Sequence, residues 1–306
     1  MVDAEKIAVL LLAHGSPDSV DEIPDFLLRV TGGRPLPEEA VEEIKHRYGL
    51  IGHSPLTELT LKQGELLSRE LRLPVYVGMR NWKPFISEAV RAMTEQRVQL
   101  AVVICLAPQN SRTSVGLYRS ALSLSRASFD IEFVESWHDH PLLIKAFAQR
   151  LRVGREVARR EAGADMPIIL TAHSVPQRTI TEGDPYESQV KETAALVAHA
   201  APLTPEEWTF AFQSQGISGG PWLGPTVEET ILALKAKGES RVFIQPIGFL
   251  CDHVEVLYDI DIGFKQFAKK EGMQLWRAES LNGSPLLAAA LADIVRTKLV
   301  PLGIRI

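Results

Sequence analysis

The stretch Gly248-Phe-Leu-Cys-Asp-His-Val-Glu-Val-Leu-Tyr-Asp-Ile-Asp261 decides how the rest of the chain is read. An apolar run, Val242 to Ile247, precedes it, so the order is buried strand, short loop, helix start. With Asp252 as helix cap, Glu255 falls three residues into the helix and Asp259 one turn further on. Residues four apart share a helix face, so Glu255 and Asp259 are expected to form a line of carboxylates leading out of a strand-end crevice. In open α/β sheets such crevices bind ligands. The same Asp-x-x-Glu spacing also fits an ordinary capping box, in which both acids only complete the helix N-terminus.

Working outward, the same punctuation recurs. Ile7-Ala-Val-Leu-Leu-Leu-Ala13 is unbroken apolar sequence, as in a strand covered on both faces of a parallel sheet, and it stops at His14-Gly-Ser-Pro17. Pro167-Ile-Ile-Leu-Thr-Ala-His-Ser-Val-Pro176 echoes it: an apolar strand ending in His, a small residue, then Pro two further on. His14 and His173 lie 159 residues apart, which points to a duplicated domain. Further strands are expected at 75–79, 100–106, 131–134, 208–213, 242–247 and 274–277, with helices between them. Thr204-Pro-Glu-Glu207 has the form of a capping box or of a turn, and Thr226-x-x-Glu229 is the stronger box. The expected fold is α/β, with two similar doubly wound domains, parallel sheets and a cleft between them. Their bounds are 1–163 and 164–306, with the terminal helix 285–299 free to pack back on the first domain.

Composition narrows the function. The 306 residues are 45% hydrophobic, enough for two ordinary domains. A net charge of −5 with both signs scattered argues against nucleic acid as a partner. Two cysteines, Cys105 and Cys251, make no disulfide framework, and a reducing cytoplasm is the default expectation. The first residues lack the basic start of a secretion signal, and the apolar runs are strand-sized. No G-x-G-x-x-G or P-loop sequence supports nucleotide chemistry, and neither Ser16 nor Ser174 has nucleophile-elbow spacing. His138 and His140 invite a metal reading, but two histidines before a helix are more often solvated loop residues. That leaves His173 facing Glu255 across one crevice. An imidazole opposite a carboxylate suits proton transfer near neutral pH and transient binding of a borderline divalent metal.

At these residues the chain resembles the ferrochelatases, which insert ferrous iron into a porphyrin to make haem. The matching stretches are Ala13-His-Gly-Ser-Pro17, Arg47-Tyr48 with Ser54-Pro-Leu56, Met79-Arg-x-Trp-x-Pro-Phe85 and Leu106-Ala-Pro-Gln109. Thr171-Ala-His-Ser-Val-Pro176, Gly183-Asp-Pro-Tyr186, Gln213-Ser-x-Gly216, Pro221-Trp-Leu-Gly-Pro225 and Gly248-Phe-x-x-Asp-His-x-Glu-x-Leu-Tyr-Asp259 follow in family order. The resemblance implies His173 as metal ligand or acceptor of pyrrole protons, Glu255 as the carboxylate opposite, and Asp259 as the next step of a proton or metal path. Gly263 stands where some relatives carry a further acid. Ile23, Phe26, Leu27 and Val30 recur at helical spacing, which usually marks a core face and alternatively an apolar lip at a cleft. Porphyrin contacts are expected from His14, Arg34, Arg80, Tyr118 (otherwise an ordinary core tyrosine) and, on the lip reading, from Phe26 and Leu27, which could also touch a membrane. His14 departs from the tyrosine or apolar residue usual there, and is a candidate extra metal ligand or propionate contact, or else a loop histidine bonded to backbone.

The substrates so implied are a porphyrin, with a leaning to coproporphyrin III over protoporphyrin IX, and Fe(II). No permanently bound cofactor is expected. A monomer is expected, with contact to a membrane surface or another haem-pathway enzyme as the remaining partner. Two alternatives share the scaffold: a sirohydrochlorin or cobalt chelatase, and a non-catalytic haem-binding protein.

Overall fold

A computed structural model describes residues 6–215 and 220–306; Gly216 of the Gln213-Ser-x-Gly216 motif lies outside them. In the first half, β1 (Ile7–Ala13), β2 (Val75–Met79), β3 (Leu100–Cys105) and β4 (Asp130–Val134) form a parallel sheet in the order β2-β1-β3-β4. In the second, β5 (Ile168–His173), β6 (Trp208–Gln213), β7 (Arg241–Pro246) and β8 (Gln274–Arg277) form a sheet in the order β6-β5-β7-β8, also parallel. The two orders are the same once the second is counted from its own first strand. The duplication expected from the two His-ended runs is therefore present in the topology.

Alternation explains why the central strands read as continuous apolar runs. On β1, Ile7, Val9 and Leu11 face one apolar cluster, and Ala8, Leu10 and Leu12 face another. Both faces of the strand are buried, so no position needs to be polar. The first of these clusters is shared between the halves. It takes Val102 and Ile104 from β3, Ile168 and Leu170 from β5, and Phe243 from β7. Fully burying each such side chain contributes about 1.5–3 kcal/mol.

Helices close this shared core. They are α3 (Leu56–Leu71), α6 (Pro141–Ala162), α8 (Tyr186–Ala200) and α12 (Pro285–Leu299). The terminal helix α12 packs against α3 and α6, as the reading of 285–299 allowed. Polar links cross between the halves as well. Buried Gln109 donates to Thr193 Oγ1 and to the Ile247 carbonyl, both at 3.2 Å, and Gln63 donates to the Asn282 carbonyl at 2.9 Å.

Several local expectations change. The segment Thr204–Glu207 is a turn, in which the Thr204 N–H donates to Glu207 Oε2 at 2.8 Å. Thr226 with Glu229 makes the full capping box of a helix at Val227–Ala236. The helix expected after Asp252 is divided into a single α turn at Val254–Leu257, a π-helical segment at Asp259–Phe264 and an α turn at Lys265–Lys270. Its cap position belongs to His253, in extended conformation, and Asp252 does not cap it. The Asp252 carboxylate is already engaged by Ser280 at 2.7 Å, Asn282 at 2.9 Å and Arg277 at 3.2 Å.

Candidate active site

The C-terminal ends of β1, β2, β5 and β7 deliver the groups that the sequence singled out. His173 is the last residue of β5. Its Nδ1 lies 2.5 Å from the Ser174 carbonyl oxygen, which only accepts, so Nδ1 carries the proton and donates. Its Nε2 points instead at Glu255 Oε1, 3.7 Å away. Tyr186 fixes the strand end by donating its hydroxyl to the His173 carbonyl at 2.9 Å.

His253, which sequence reasoning passed over, completes the group. Its Nδ1 donates to the Cys251 carbonyl at 3.1 Å, and its Nε2 faces Glu255 Oε2 at 3.4 Å. Phe249 stands edge-on between the two imidazoles, 6.4 Å from the His173 ring and 4.5 Å from the His253 ring. The available signal was the position of His253 two residues before Glu255 in the Asp-His-x-Glu motif. Reading Asp252 as the cap turned attention away from it.

Glu255 sits at the floor of an open cleft. Two-fifths of its side chain is accessible, yet it is densely surrounded by protein atoms. Burial alone would raise its pKa; His173, followed by His253 and His14, overcomes this and holds the carboxyl well below the usual range. Asp259 has the opposite environment. Burial raises its pKa, a hydrogen bond from Ser214 opposes the rise, and the Glu255 charge adds to it. Arg47, from helix α2 (Glu38–Ile51) of the first half, approaches Asp259 at 3.9 Å and lies over the Tyr258 ring at 4.9 Å. The two carboxylates are thus coupled, as the spacing suggested, and the cleft is lined from both halves.

Across from them, His14 is exposed to the cleft at the end of β1. Its Nδ1 donates to the Gly15 carbonyl at 3.0 Å, and its Nε2 is 3.0 Å from the Asn81 amide nitrogen. Although its edge is accessible, the ring is crowded by protein atoms, and this desolvation lowers its pKa, opposed by the Gly15 hydrogen bond and Glu255. Arg80 lies beside it at the end of β2, and its guanidinium has no hydrogen bond or ion pair among the described residues. Tyr118, on α5 (Val115–Leu124), is 6% exposed within the core cluster that includes Cys105. Burial pushes its hydroxyl pKa up. Arg34 is exposed beyond helix α1 (Ile23–Val30), with its Nε on the Thr31 carbonyl at 3.3 Å.

The apolar lip is corrected. Phe26 and Leu27 are 6% and 7% exposed, packed with Ile23, Tyr48 and Trp82. Phe26 meets His14 edge-on at 5.9 Å and so backs the cleft from inside. Leu28, at 41%, is the exposed apolar residue of that helix. His138 and His140 separate, the first to Ser136 and Glu192, the second to Asp293. Among the described residues no three His, Cys, Asp or Glu side chains close on a metal site, and no helix is long and apolar enough to cross a membrane.

This fold is that of the tetrapyrrole chelatases. The sirohydrochlorin chelatase SirB of Bacillus subtilis subspecies spizizenii, solved with cobalt, superposes with a TM-score of 0.60 over 97% of both chains. At 14% identity that likeness speaks for the fold alone. Sequence decides further. The ferrochelatase family profile matches residues 6–299, and the chain belongs to the ferrochelatase family. A ferrochelatase of Acidobacterium capsulatum is 54% identical, covering 96% of this chain and 95% of that one. A ferrochelatase of Deinococcus radiodurans is 39% identical over 97% of this chain and 98% of its own. A coproporphyrin III ferrochelatase from a Geobacillus species is 33% identical over 95% and 97%.

Proposed function

We propose that this ferrochelatase inserts Fe(II) into coproporphyrin III, with His173 and Glu255 as the reacting pair. One observation carries the assignment of the pair. His173 and His253 both spend their Nδ1 protons on backbone carbonyls, so in their neutral forms both direct Nε2 lone pairs at an ionised Glu255. Lone pairs facing a carboxylate repel unless a proton or a metal cation lies between them. The cleft floor is therefore arranged for the two species that metal insertion moves: one Fe(II) arriving and two pyrrole protons leaving.

The chemistry follows from these environments. Binding energy from the cleft bends the flat macrocycle and turns pyrrole lone pairs outward, towards the transition-state shape. Neutral His173 accepts a pyrrole proton through Nε2. Glu255 keeps its negative charge at neutral pH, so its part is to stabilise the imidazolium or the incoming cation and not to store the proton. Asp259, whose pKa is raised, is the better proton acceptor further along, and Gly263 ends the line of acids. Arg80 supplies an uncommitted cation for a substrate carboxylate. Coproporphyrin III carries four propionates against two in protoporphyrin IX, and this supports the substrate choice, with Arg34 as a second candidate cation.

The test is anaerobic Fe(II) insertion followed by absorbance, with the two porphyrins side by side. Coproporphyrin III is expected to be metallated faster. His173→Ala is expected to abolish insertion into both, with an unchanged melting transition. Equal or faster use of protoporphyrin IX overturns the substrate assignment, and normal turnover by His173→Ala overturns the role of His173.

A further inference from the structure

The two strand-end histidines have the same local geometry and opposite exposure of their lone pairs. Each donates Nδ1–H to the carbonyl of the next residue, at 3.0 Å for His14 and 2.5 Å for His173. That carbonyl leaves each neutral ring with its proton on Nδ1 and its lone pair on Nε2. The His173 lone pair faces Glu255. The His14 lone pair faces Asn81 Nδ2 at 3.0 Å. The atom that faces it is the Asn81 amide nitrogen, which only donates, and the proton that the ring gives to the Gly15 carbonyl through Nδ1 leaves Nε2 as the acceptor.

Asn81 is firmly placed. Its side chain is buried, at 1% exposure, and its backbone N–H bonds the His14 carbonyl at 2.9 Å, beside Arg80 N–H on the Ala13 carbonyl at 3.0 Å. Gly15, with φ +87°, lets the next residue, Trp82, close in: a Cβ there would stand 2.8 Å from the Trp82 backbone nitrogen. The two loops are interlocked, and the amide is held against the imidazole.

From this geometry we infer that Asn81 is a positioning residue that masks the Nε2 lone pair of His14, so that a divalent cation entering the cleft is taken by His173 and Glu255 and is not chelated across it. The inference rests on the proposed function and refines it. An unmasked imidazole at His14, within electrostatic reach of Glu255, would add a third ligand opposite the first two. The cation would then be bound too tightly to pass on. With Nε2 occupied, His14 presents a neutral ring backed edge-on by Phe26.

The matching position in the second half supports the reading. The β1–β2 register pairs Ala13 with Met79, so Asn81 lies one residue beyond the neighbour of His14. The β5–β6 register pairs His173 with Gln213, so the matching residue is Ser214. Ser214 gives its hydroxyl to Asp259 and leaves the His173 Nε2 uncovered. The mask exists on one side only.

Two readouts test this without porphyrin or turnover, so they fail independently of the proposed activity. In the full chain labelled with 15N-histidine, two-bond proton–nitrogen correlation should give His14 as the neutral Nδ1–H tautomer, its signal assigned by loss in His14→Phe. A signal from the Nε2–H tautomer overturns the inference. Visible absorption during Co(II) titration supplies the second readout. Asn81→Ala should bind Co(II) more tightly, by about tenfold if the freed imidazole contributes about 1.4 kcal/mol as an added ligand. Adding His14→Phe to Asn81→Ala should remove the gain. No gain in Asn81→Ala, or loss of Co(II) affinity in His14→Phe alone, overturns the inference. Should Asn81→Ala fail to fold, the tautomer and the His14→Phe titration still decide.

Discussion

Replacing Arg277 tests how the cleft floor is held. Arg277 ends β8 and is 11% exposed. Its fork grips Asp261 through Nε at 2.9 Å and Nη2 at 2.7 Å, while Nη1 reaches Asp252 at 3.2 Å and the Ala278 carbonyl at 2.9 Å. These acids flank the stretch that carries His253, Glu255 and Asp259. Arg277→Met keeps much of the volume and removes the cation. Breaking a buried ion pair costs about 3–5 kcal/mol, because the partner's charge is left uncompensated. Here the cost is reduced: Asp252 keeps its bonds from Ser280 and Asn282, and Asp261, 25% exposed, keeps Lys265 at 3.6 Å. The expected loss is about 2–3 kcal/mol, below the full range for a buried pair.

Urea denaturation measures that loss, and hydrogen exchange over residues 250–264 locates it. Metal insertion should fall more than the folded fraction does, because Glu255 loses its fixed position against His173. Arg277→Lys retains charge without the fork and should fall between. Stability within about 0.5 kcal/mol of the parent, the range of an ordinary surface change, together with unchanged protection at 250–264, would refute the reasoning.

Three further outcomes follow from single contacts. The raised pKa of Asp259 gives a stability contribution that is complete below its unfolded pKa of about 3.9 and lost as pH rises through the folded value. Asp259→Asn should therefore stabilise the protein at pH 7, with the gain vanishing in denaturation curves below about pH 4; an equal gain at both pH values contradicts this. Tyr48→Phe removes the 3.0 Å bond to Ser16 and leaves a buried hydroxyl unpaired, so urea curves should show a loss of about 1–3 kcal/mol. Gly15→Ala forces a left-handed backbone and a clash with Trp82, and should cost about 1–3 kcal/mol or more in the same assay; a neutral result for either variant removes the contact it tests.

What could be read from the sequence depended on how local the deciding interaction is. The central strands β1 and β3 were legible because a strand buried on both faces reads as a continuous apolar run, whatever covers it, while the sheet-edge strands β4 and β8, with charged and exposed positions, were read from shorter apolar signals between loops. The meeting of His173 and Glu255 was legible because His173 ends a strand and Glu255 lies in the helical turn after the loop at the end of the next strand but one, both in distinctive motifs. The cap at Asp252 misled because the Asp-x-x-Glu spacing is satisfied locally, while the bonds that claim Asp252 come from residues 277–282. The π-helical segment has no signature in a pattern of apolar positions. It shows in the Gly263 N–H reaching the Tyr258 carbonyl at 2.8 Å. Helical spacing at Ile23, Phe26 and Leu27 identified an apolar face but not what faces it. Tyr48 and Trp82, distant in sequence, cover that face and decide between the two readings for core over lip.

The duplication itself explains where the chemistry resides. Each half ends its first strand in a histidine whose tautomer is fixed by the next carbonyl, and from that common start the two sites diverge by single neighbours. After β2 the chain places Asn81, whose amide meets His14. After β6 it places Ser214 at φ 59°, a left-handed conformation that sends the hydroxyl to Asp259 instead. That difference leaves His173 exposed to Glu255 and ties Ser214 into the acidic line behind it. The second half then supplies both carboxylates, while the first supplies Arg80, Arg47 and a neutral wall. A cleft built from two equal sites would offer the cation symmetric ligands and no direction. On the proposed function, one covered lone pair would leave the metal one side to approach from, and the raised pKa of Asp259 would give the protons one line of acids along which to leave.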